Sequence, residues 1–114
     1  MNLRKCILLL PLAYNDGTEI PPRVLADILR AIDEEFDGHT VAGTCDGVYR
    51  MANGQLAHDK SLMVWVVVDA DRVDELRQHA RRFAGMLKQE SLYFEVTEAV
   101  PEFLRPLPEV GGES

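Results

Sequence analysis

Four stretches of the chain carry the side-chain pattern of β-strands. Two of them are almost continuously apolar and rich in aliphatic or β-branched side chains: residues 4–12 and residues 61–69, SLMVWVVVD. Such runs favour central strands that are apolar on both faces. Residues 39–51 and 91–97 predict two further strands, the first loosened by glycines. The run at 61–69 extends back to Leu56 as one long third strand.

Two segments between these strands show the helical period instead. Pro21 and Pro22 favour a helix start, and Asp37-Gly38 favours its end. Asp71 is predicted to cap the second helix. One apolar stripe lies on each predicted helix: Val24, Ile28, Ile32 and Phe36 on the first, and Val73, Leu76, Ala80, Phe83 and Leu87 on the second.

The element order is β-α-β-β-α-β, which with right-handed crossovers predicts an α+β, ferredoxin-like fold. This plan gives a four-stranded antiparallel sheet in the order 4-1-3-2, with both helices on one face. Residues 1–100 are predicted to form this single domain. Residues 101–114 contain three prolines and two glycines and predict an extended or disordered C-terminal tail.

The hairpin between the second and third strands sets the predicted register. Asn53-Gly54 favours a two-residue type I′ turn, which places Tyr49 opposite His58. By the same count Cys45 lies opposite Leu62 and Val41 opposite Val66. A bulge at Gly43 or Gly47 would exchange the two faces locally.

Side-chain alternation along the third strand leaves one sheet face apolar and uncovered. Leu62, Val64, Val66 and Val68 suit the helix-covered face, whereas Met63, Trp65 and Val67 point to the other face. Ala42 and Val48 are predicted to join them there.

Monomers seldom leave such a patch in water, so we expect a homodimer through this open face. An apolar small molecule bound under Trp65 is the alternative cover, and the two are compatible. In a third arrangement, the second strand pairs at the sheet edge with another sheet in a larger oligomer.

Net charge, apolar runs and cysteine count limit the classes of partner and the cellular location that can be expected. The 114 residues carry a formal net charge of -7, which disfavours contact with nucleic-acid phosphates. No apolar run is long enough to span a bilayer, so no membrane partner is expected. Arg4 and Lys5 precede an apolar run, but Pro11 interrupts it, and a strand is expected there rather than a signal peptide. Two cysteines are too few for a disulfide framework, which favours a cytoplasmic location.

The polar residues that could carry chemistry gather at one end of the predicted sheet. Tyr49 and His58, facing each other, could perform acid-base chemistry with Asp16 or Glu90 assisting. The alternative is an ordinary cross-strand pair near a hairpin tip. Tyr14 and Gln89 lie at the same end and join Trp65, Met63 and Val67 as candidate ligand or interface residues.

Neither a metal nor a cofactor is expected. The chain has no H-x-H, H-x-x-x-H or C-x-x-C spacing, which metal sites commonly use. It also lacks a phosphate loop and a G-x-G-x-x-G motif. Cys45 would need a neighbouring histidine to act as a nucleophile, whereas the predicted register gives it Leu62.

Four short motifs resemble those of an uncharacterised family of small bacterial ferredoxin-like proteins. They are NDGT (15–18), FDGHTV (36–41), GVYRMANGQLAHDKS (47–61) and LKQESLYFEV (87–96). Tyr49 stands where that family tends to have a tryptophan. The resemblance implies the same ferredoxin-like fold, and it implies no activity.

These observations favour a homodimeric ligand-binding or protein-interaction module without catalytic activity. The alternative is a small enzyme of the dimeric α/β-barrel kind, which would act on an apolar small molecule by Tyr/His acid-base chemistry. The sequence leaves open which of the two applies.

Overall fold

A computed structural model describes residues 2–109 and confirms the predicted architecture. Its elements are β1 (Leu3–Pro11), α1 (Pro22–Phe36), β2 (Thr40–Arg50), β3 (Leu56–Asp69), α2 (Val73–Met86) and β4 (Tyr93–Ala99). The strands form one antiparallel sheet in the order β2-β3-β1-β4. This is the predicted 4-1-3-2 order read from the other edge. Residues 100–109 have no regular secondary structure, and the remainder of the predicted tail lies outside the described residues.

The helix boundaries follow local chemistry, with one correction. Pro22 opens α1 and Asp37 ends it in the left-handed conformation at φ 64°, as the sequence predicts. The predicted cap at Asp71 is wrong, because the chain leaves β3 through a 3-10 turn at Ala70–Arg72. Arg72 therefore occupies the N-cap position of α2, and its side chain makes no capping hydrogen bond.

The core lies between one sheet face and the two helices. Leu8 and Val64 from the sheet are fully buried, as are Ile28 from α1 and Leu76 from α2. The strand residues of this cluster all have the parity that the alternation assigns to the helix-covered face. We call this side of the sheet the covered face.

The β2–β3 hairpin is built differently from the prediction. Arg50 pairs with Leu56, and the next pair inwards is Met51 with Gln55, which leaves a loop of three residues, 52–54. Within this loop only Gly54 has positive φ, 87°. The Met51 N–H donates to the Gln55 carbonyl at 2.8 Å. This is a three-residue loop ending in a glycine bulge, not a two-residue type I′ turn. The Asn53 side chain, which accepts a hydrogen bond from the Gln55 N–H at 2.9 Å, stabilises the alternative turn.

A bulge farther along β2 changes the register again. Val41 pairs with Val64 and Gly43 with Met63, so Ala42 is the extra residue and has no direct partner. Gly43 adopts φ 126°, which an L side chain rarely tolerates. The predicted Cys45–Leu62 pair is wrong because of the hairpin loop alone, and Cys45 lies opposite Ser61. The predicted Val41–Val66 pair is wrong because of both the loop and the bulge.

The three-residue hairpin loop also moves a side chain between faces. Val48 pairs with His58 and so has the parity of the covered face, not of the open face as predicted. A bulge at Gly43 is one of the two positions at which the sequence anticipated a local exchange of faces.

Candidate functional site

The apolar residues opposite the helices form a continuous patch at the sheet centre. We call this patch the open face and define it by the β1–β3 pairs Lys5–Val67, Ile7–Trp65 and Leu9–Met63. The predicted placement of Met63, Trp65 and Val67 on this side is confirmed. Val67 is 45% exposed and the other five residues are partly buried. β4 adds Glu95, which lies opposite Ile7.

Trp65 is the chemically most distinctive member of the open face. The Lys5 ammonium lies 4.2 Å from the centroid of its ring, a cation–π contact. The indole Nε1 is buried and has no acceptor among the described residues. A buried donor without a hydrogen-bond partner destabilises the fold. A group that supplied an acceptor to this N–H would therefore remove that penalty. Sequence reasoning missed Lys5, although its strand parity with Ile7 and Leu9 was available as a signal.

The predicted Tyr49–His58 pair is not formed. Tyr49 lies opposite Ala57, whereas His58 lies opposite Val48, so the two side chains have opposite parity in the hairpin. The neighbour that affects Tyr49 is Asp59, because the negative charge of its carboxylate raises the pKa of the Tyr49 phenol. A phenol held in its neutral form beside a carboxylate is a poor general base at neutral pH.

The turn after β1 brings Tyr14 and Asp16 towards Lys88. Asp16 accepts hydrogen bonds from the Thr18 hydroxyl at 2.6 Å and the Thr18 amide at 2.9 Å. These bonds, assisted by the positive charge of Lys88, lower the pKa of the Asp16 carboxyl. The Lys88 ammonium lies 5.1 Å from the centroid of the Tyr14 ring. Nothing in the sequence pattern pointed to Lys88, which reaches this position because it leaves α2 at φ 56°.

The remaining candidates, Gln89 and Glu90, occupy the connection into β4. The side-chain amide of Gln89 donates a hydrogen bond to the Leu87 carbonyl at 3.0 Å, so it satisfies a backbone acceptor at the end of α2. Glu90 is exposed.

The two cysteines lie in different environments. Cys6 is fully buried on the covered face, and burial raises the pKa of its thiol, so that it stays protonated. Cys45 lies on β2 and both are free thiols. Within residues 2–109, no three His, Cys, Asp or Glu side chains are grouped to hold a metal ion. The absence of a metal stays a prediction.

An open cavity of about 260 Å³ lies at the end of the sheet where β3 ends, lined by Leu3, Phe36, Asp37, Val67, Val68, Asp69 and Arg72. Its one basic side chain is already engaged. The Arg72 guanidinium donates to Glu75 Oε2 at 2.8 Å and to the Glu35 carbonyl at 3.1 Å. It also stacks on the Phe36 ring. This cavity therefore has no free basic side chain with which to bind an anion.

No helix among the described residues is both long and apolar enough to cross a membrane.

Comparisons with known proteins support the fold rather than an activity. No protein-family model matches the chain, and no curated protein matches its sequence. The uncharacterised family suggested by the four motifs therefore receives no support beyond its fold.

Solved structures with the same architecture come from more than one functional class. CutA1 from Oryza sativa has a TM-score of 0.68 at 10% identity, over 90% of this chain and 84% of its own. The divalent cation tolerance protein CutA1 from Thermus thermophilus has a TM-score of 0.66 at 14% identity, over 89% and 87%. A phage SAM lyase bound to S-methyl-5'-thioadenosine has a TM-score of 0.65 at 18% identity, over 85% and 81%. Identities this low show the shared ferredoxin-like fold alone.

Proposed function

We propose that the protein is a homodimeric module that binds a ligand or protein partner without catalysing a reaction. The observation that supports this proposal is the open face, where Ile7, Leu9, Met63 and Trp65 are joined without an intervening polar side chain. Burying this patch would remove apolar area from water at about 25 cal/mol per Å². The free thiols Cys6 and Cys45 support a reducing, cytoplasmic location for the module.

A second copy is the proposed occupant because the open face is self-complementary. Lys5 and Glu95 both point to this side, on neighbouring strands. A two-fold axis through the patch would bring Lys5 of each copy near Glu95 of the other, while the apolar residues meet at the centre. The ligand position we propose is the edge of that interface beside Trp65 Nε1, where an acceptor is lacking.

The test is the solution mass by light scattering over a concentration series, together with Trp65 emission. We expect a dimer with blue-shifted emission in the unaltered chain. Val67→Asp should break the open-face contact and lower the solution mass, because it introduces a charge into the interface at a position that is half exposed in one copy. Trp65→Asp should give monomers or insoluble protein.

Ala26→Asp is the matched control, since it adds the same charge on an exposed position of α1. This control should keep the dimer. A dimer that persists unchanged in both Val67→Asp and Trp65→Asp would remove the proposed interface. A monomeric unaltered chain with water-exposed Trp65 emission would remove it as well.

The enzyme alternative is less well supported, because the hairpin separates the groups it needs. Tyr49 and His58 lie on opposite faces, and Asp16 is held by Thr18 in a turn. The SAM lyase comparison shows that the fold can host an enzyme, but a shared fold does not transfer an activity.

A further inference from the structure

The segment that follows β4 exposes an unusual amount of apolar surface. We call residues 100–109 the tail segment. Val100, Phe103, Leu104 and Leu107 are 88%, 94%, 84% and 90% exposed. Clustered exposure of this kind marks an interaction surface, because single chains seldom present several large apolar side chains to water together.

The prolines of the tail segment are arranged so that one edge of an extended strand remains able to pair. Backbone N–H groups alternate between the two edges of a strand. From Phe103 onwards, Pro106 and Pro108 fall on one edge, and the N–H groups of Phe103, Arg105 and Leu107 fall on the other. Pro101 falls on this second edge but precedes Phe103, so pairing would begin at Phe103. Proline is tolerated on the outward edge of a terminal strand, where no donor is needed. The tail segment can therefore act as an added edge strand.

β2 offers the matching acceptor surface. It is an edge strand, bonded to β3 alone among the described residues, and ten of its eleven residues are exposed. It contains no proline, and Asp46 and Arg50 are its only charged residues. Val48 and Tyr49 expose apolar surface beside this edge. Residues 45–50 lie beyond the bulge at Ala42, and a regular, weakly charged edge of this kind pairs readily with another strand.

The tail segment of the same copy cannot fill the outer half of this edge. β4 ends where Ala99 pairs with Leu3, which in turn pairs with Asp69 at the end of β3. β3 has fourteen residues, so the hairpin tip lies roughly 45 Å away along the strand. Ten extended residues span at most about 35 Å, and they would also have to cross from one sheet edge to the other.

We propose that the tail segment of one copy adds as a strand to residues 45–50 of β2 in a second copy. Main-chain hydrogen bonds would supply affinity, while Phe103, Leu104 and Leu107 would pack beside Val48 and Tyr49. Each copy gives one tail segment and accepts another, so the contact closes either by reciprocal exchange between two copies or as a ring of more copies. It is separate from the two-fold contact of the open face.

A directed disulfide tests the contact between copies. One partner, the donor, carries Phe103→Cys with Cys45→Ser, and the other, the acceptor, keeps native Cys45 and a distinguishing tag. Cys6 is fully buried in both, so it takes no part. We expect diamide to produce a donor–acceptor heterodimer on a non-reducing gel.

The matched donor carries Glu34→Cys with Cys45→Ser, which puts a thiol on an exposed position of α1. It should cross-link at least tenfold more slowly than the tail donor. Equal rates for the two donors would overturn the proposal.

Amide hydrogen exchange gives a second readout that does not depend on thiol geometry. In the full chain, the triple variant Phe103→Ser, Leu104→Ser and Leu107→Ser should exchange its 45–50 amides at least tenfold faster than the unaltered chain. Unchanged exchange would contradict the contact. Val67→Asp separates the two proposals: it should abolish the open-face dimer and leave cross-linking from Phe103→Cys intact.

Discussion

The two faces of the sheet are both apolar at their centre, but within residues 2–109 the helices cover only one of them. On β1, Leu8 is fully buried under the helices, while its neighbour Leu9 is only partly buried on the open face. On β3 the same contrast separates Val64 from Val67. Alternate residues of one strand therefore face two different surroundings, and the apolar pattern marks both faces without showing what, if anything, packs on the second.

The largest expected effect comes from comparing Leu8→Ala with Leu9→Ala. Leu8→Ala should lower the free energy of unfolding by about 2–5 kcal/mol, because it leaves a cavity in a packed core. Leu9→Ala should cost less in the single copy and should weaken the dimer instead. Urea unfolding at several protein concentrations distinguishes the two.

The concentration dependence is the decisive part of that comparison. The loss from Leu8→Ala should be the same at every concentration, whereas the loss from Leu9→Ala should grow as the dimer becomes populated. Equal losses at low concentration would mean that the two faces are covered within one copy.

A second comparison concerns two glycines of β2, one at the bulge that changes the strand's register and one outside it. Gly43 adopts φ 126° at the bulge, whereas Gly47, on the same strand, does not have positive φ. A Cβ at either position would meet no atom within 4 Å. Gly43→Ala should therefore cost about 1–3 kcal/mol through backbone strain alone. Gly47→Ala should change stability by less than about 0.5 kcal/mol.

Urea unfolding measures both glycine variants under one set of conditions. Similar stabilities for the two would mean that the bulge can shift along β2 without cost. The face assignment of the hairpin would then be much less firmly specified than the pairing indicates.

The sequence predicted the centre of this fold better than its hairpin. Long apolar runs and two helical stripes determine the element order, and from it the strand order and the faces of Met63, Trp65 and Val67. The register of β2 depends instead on how Asn53-Gly54 turns and where Gly43 bulges. Both choices differ by small energies that a pattern of residue types does not resolve.

The candidate site shows the same division. Trp65 and its neighbours follow from strand parity, so they could be placed in advance. The sequence pattern predicts one site for Tyr49 and His58, from a hairpin register that differs from the observed register by one residue. Lys88 reaches Tyr14 only through a left-handed residue at the exit of α2, which the sequence pattern does not indicate.

A smaller effect is expected at the contact between Lys5 and Trp65 on the open face. Lys5→Gln should lower the free energy of unfolding by about 0.5–1 kcal/mol, because it removes the ammonium that stacks on the ring. Lys60→Gln is the control, since Lys60 lies 3.8 Å from Asp46 in a mostly exposed ion pair. The control should change stability by less than the Lys5 variant.

Trp65 emission adds a direct readout of the same contact. It should shift in Lys5→Gln and stay unchanged in Lys60→Gln. If both variants leave the emission unchanged, the ammonium does not shield the ring in solution.

The smallest effect belongs to Asp16, which lies in the turn after β1 and outside both faces. Its bonds to Thr18 lower the pKa of the carboxyl in the folded chain. The folded state therefore holds this proton less tightly than the unfolded state does. The resulting stability is present above the unfolded pKa and is lost as the pH falls through the folded pKa.

Thr18→Val should move the pKa of Asp16 back towards that of an ordinary aspartate, because it removes the hydroxyl that makes the shorter bond. Carboxyl chemical shifts followed by NMR across the acidic range measure this directly. The dimer mass should not change in the same variant, since the turn contributes nothing to the open face. A pKa that does not rise would mean that the backbone N–H of residue 18, with Lys88, holds the charge of Asp16 without the Thr18 hydroxyl. A change in mass would instead extend the interface to this end of the sheet.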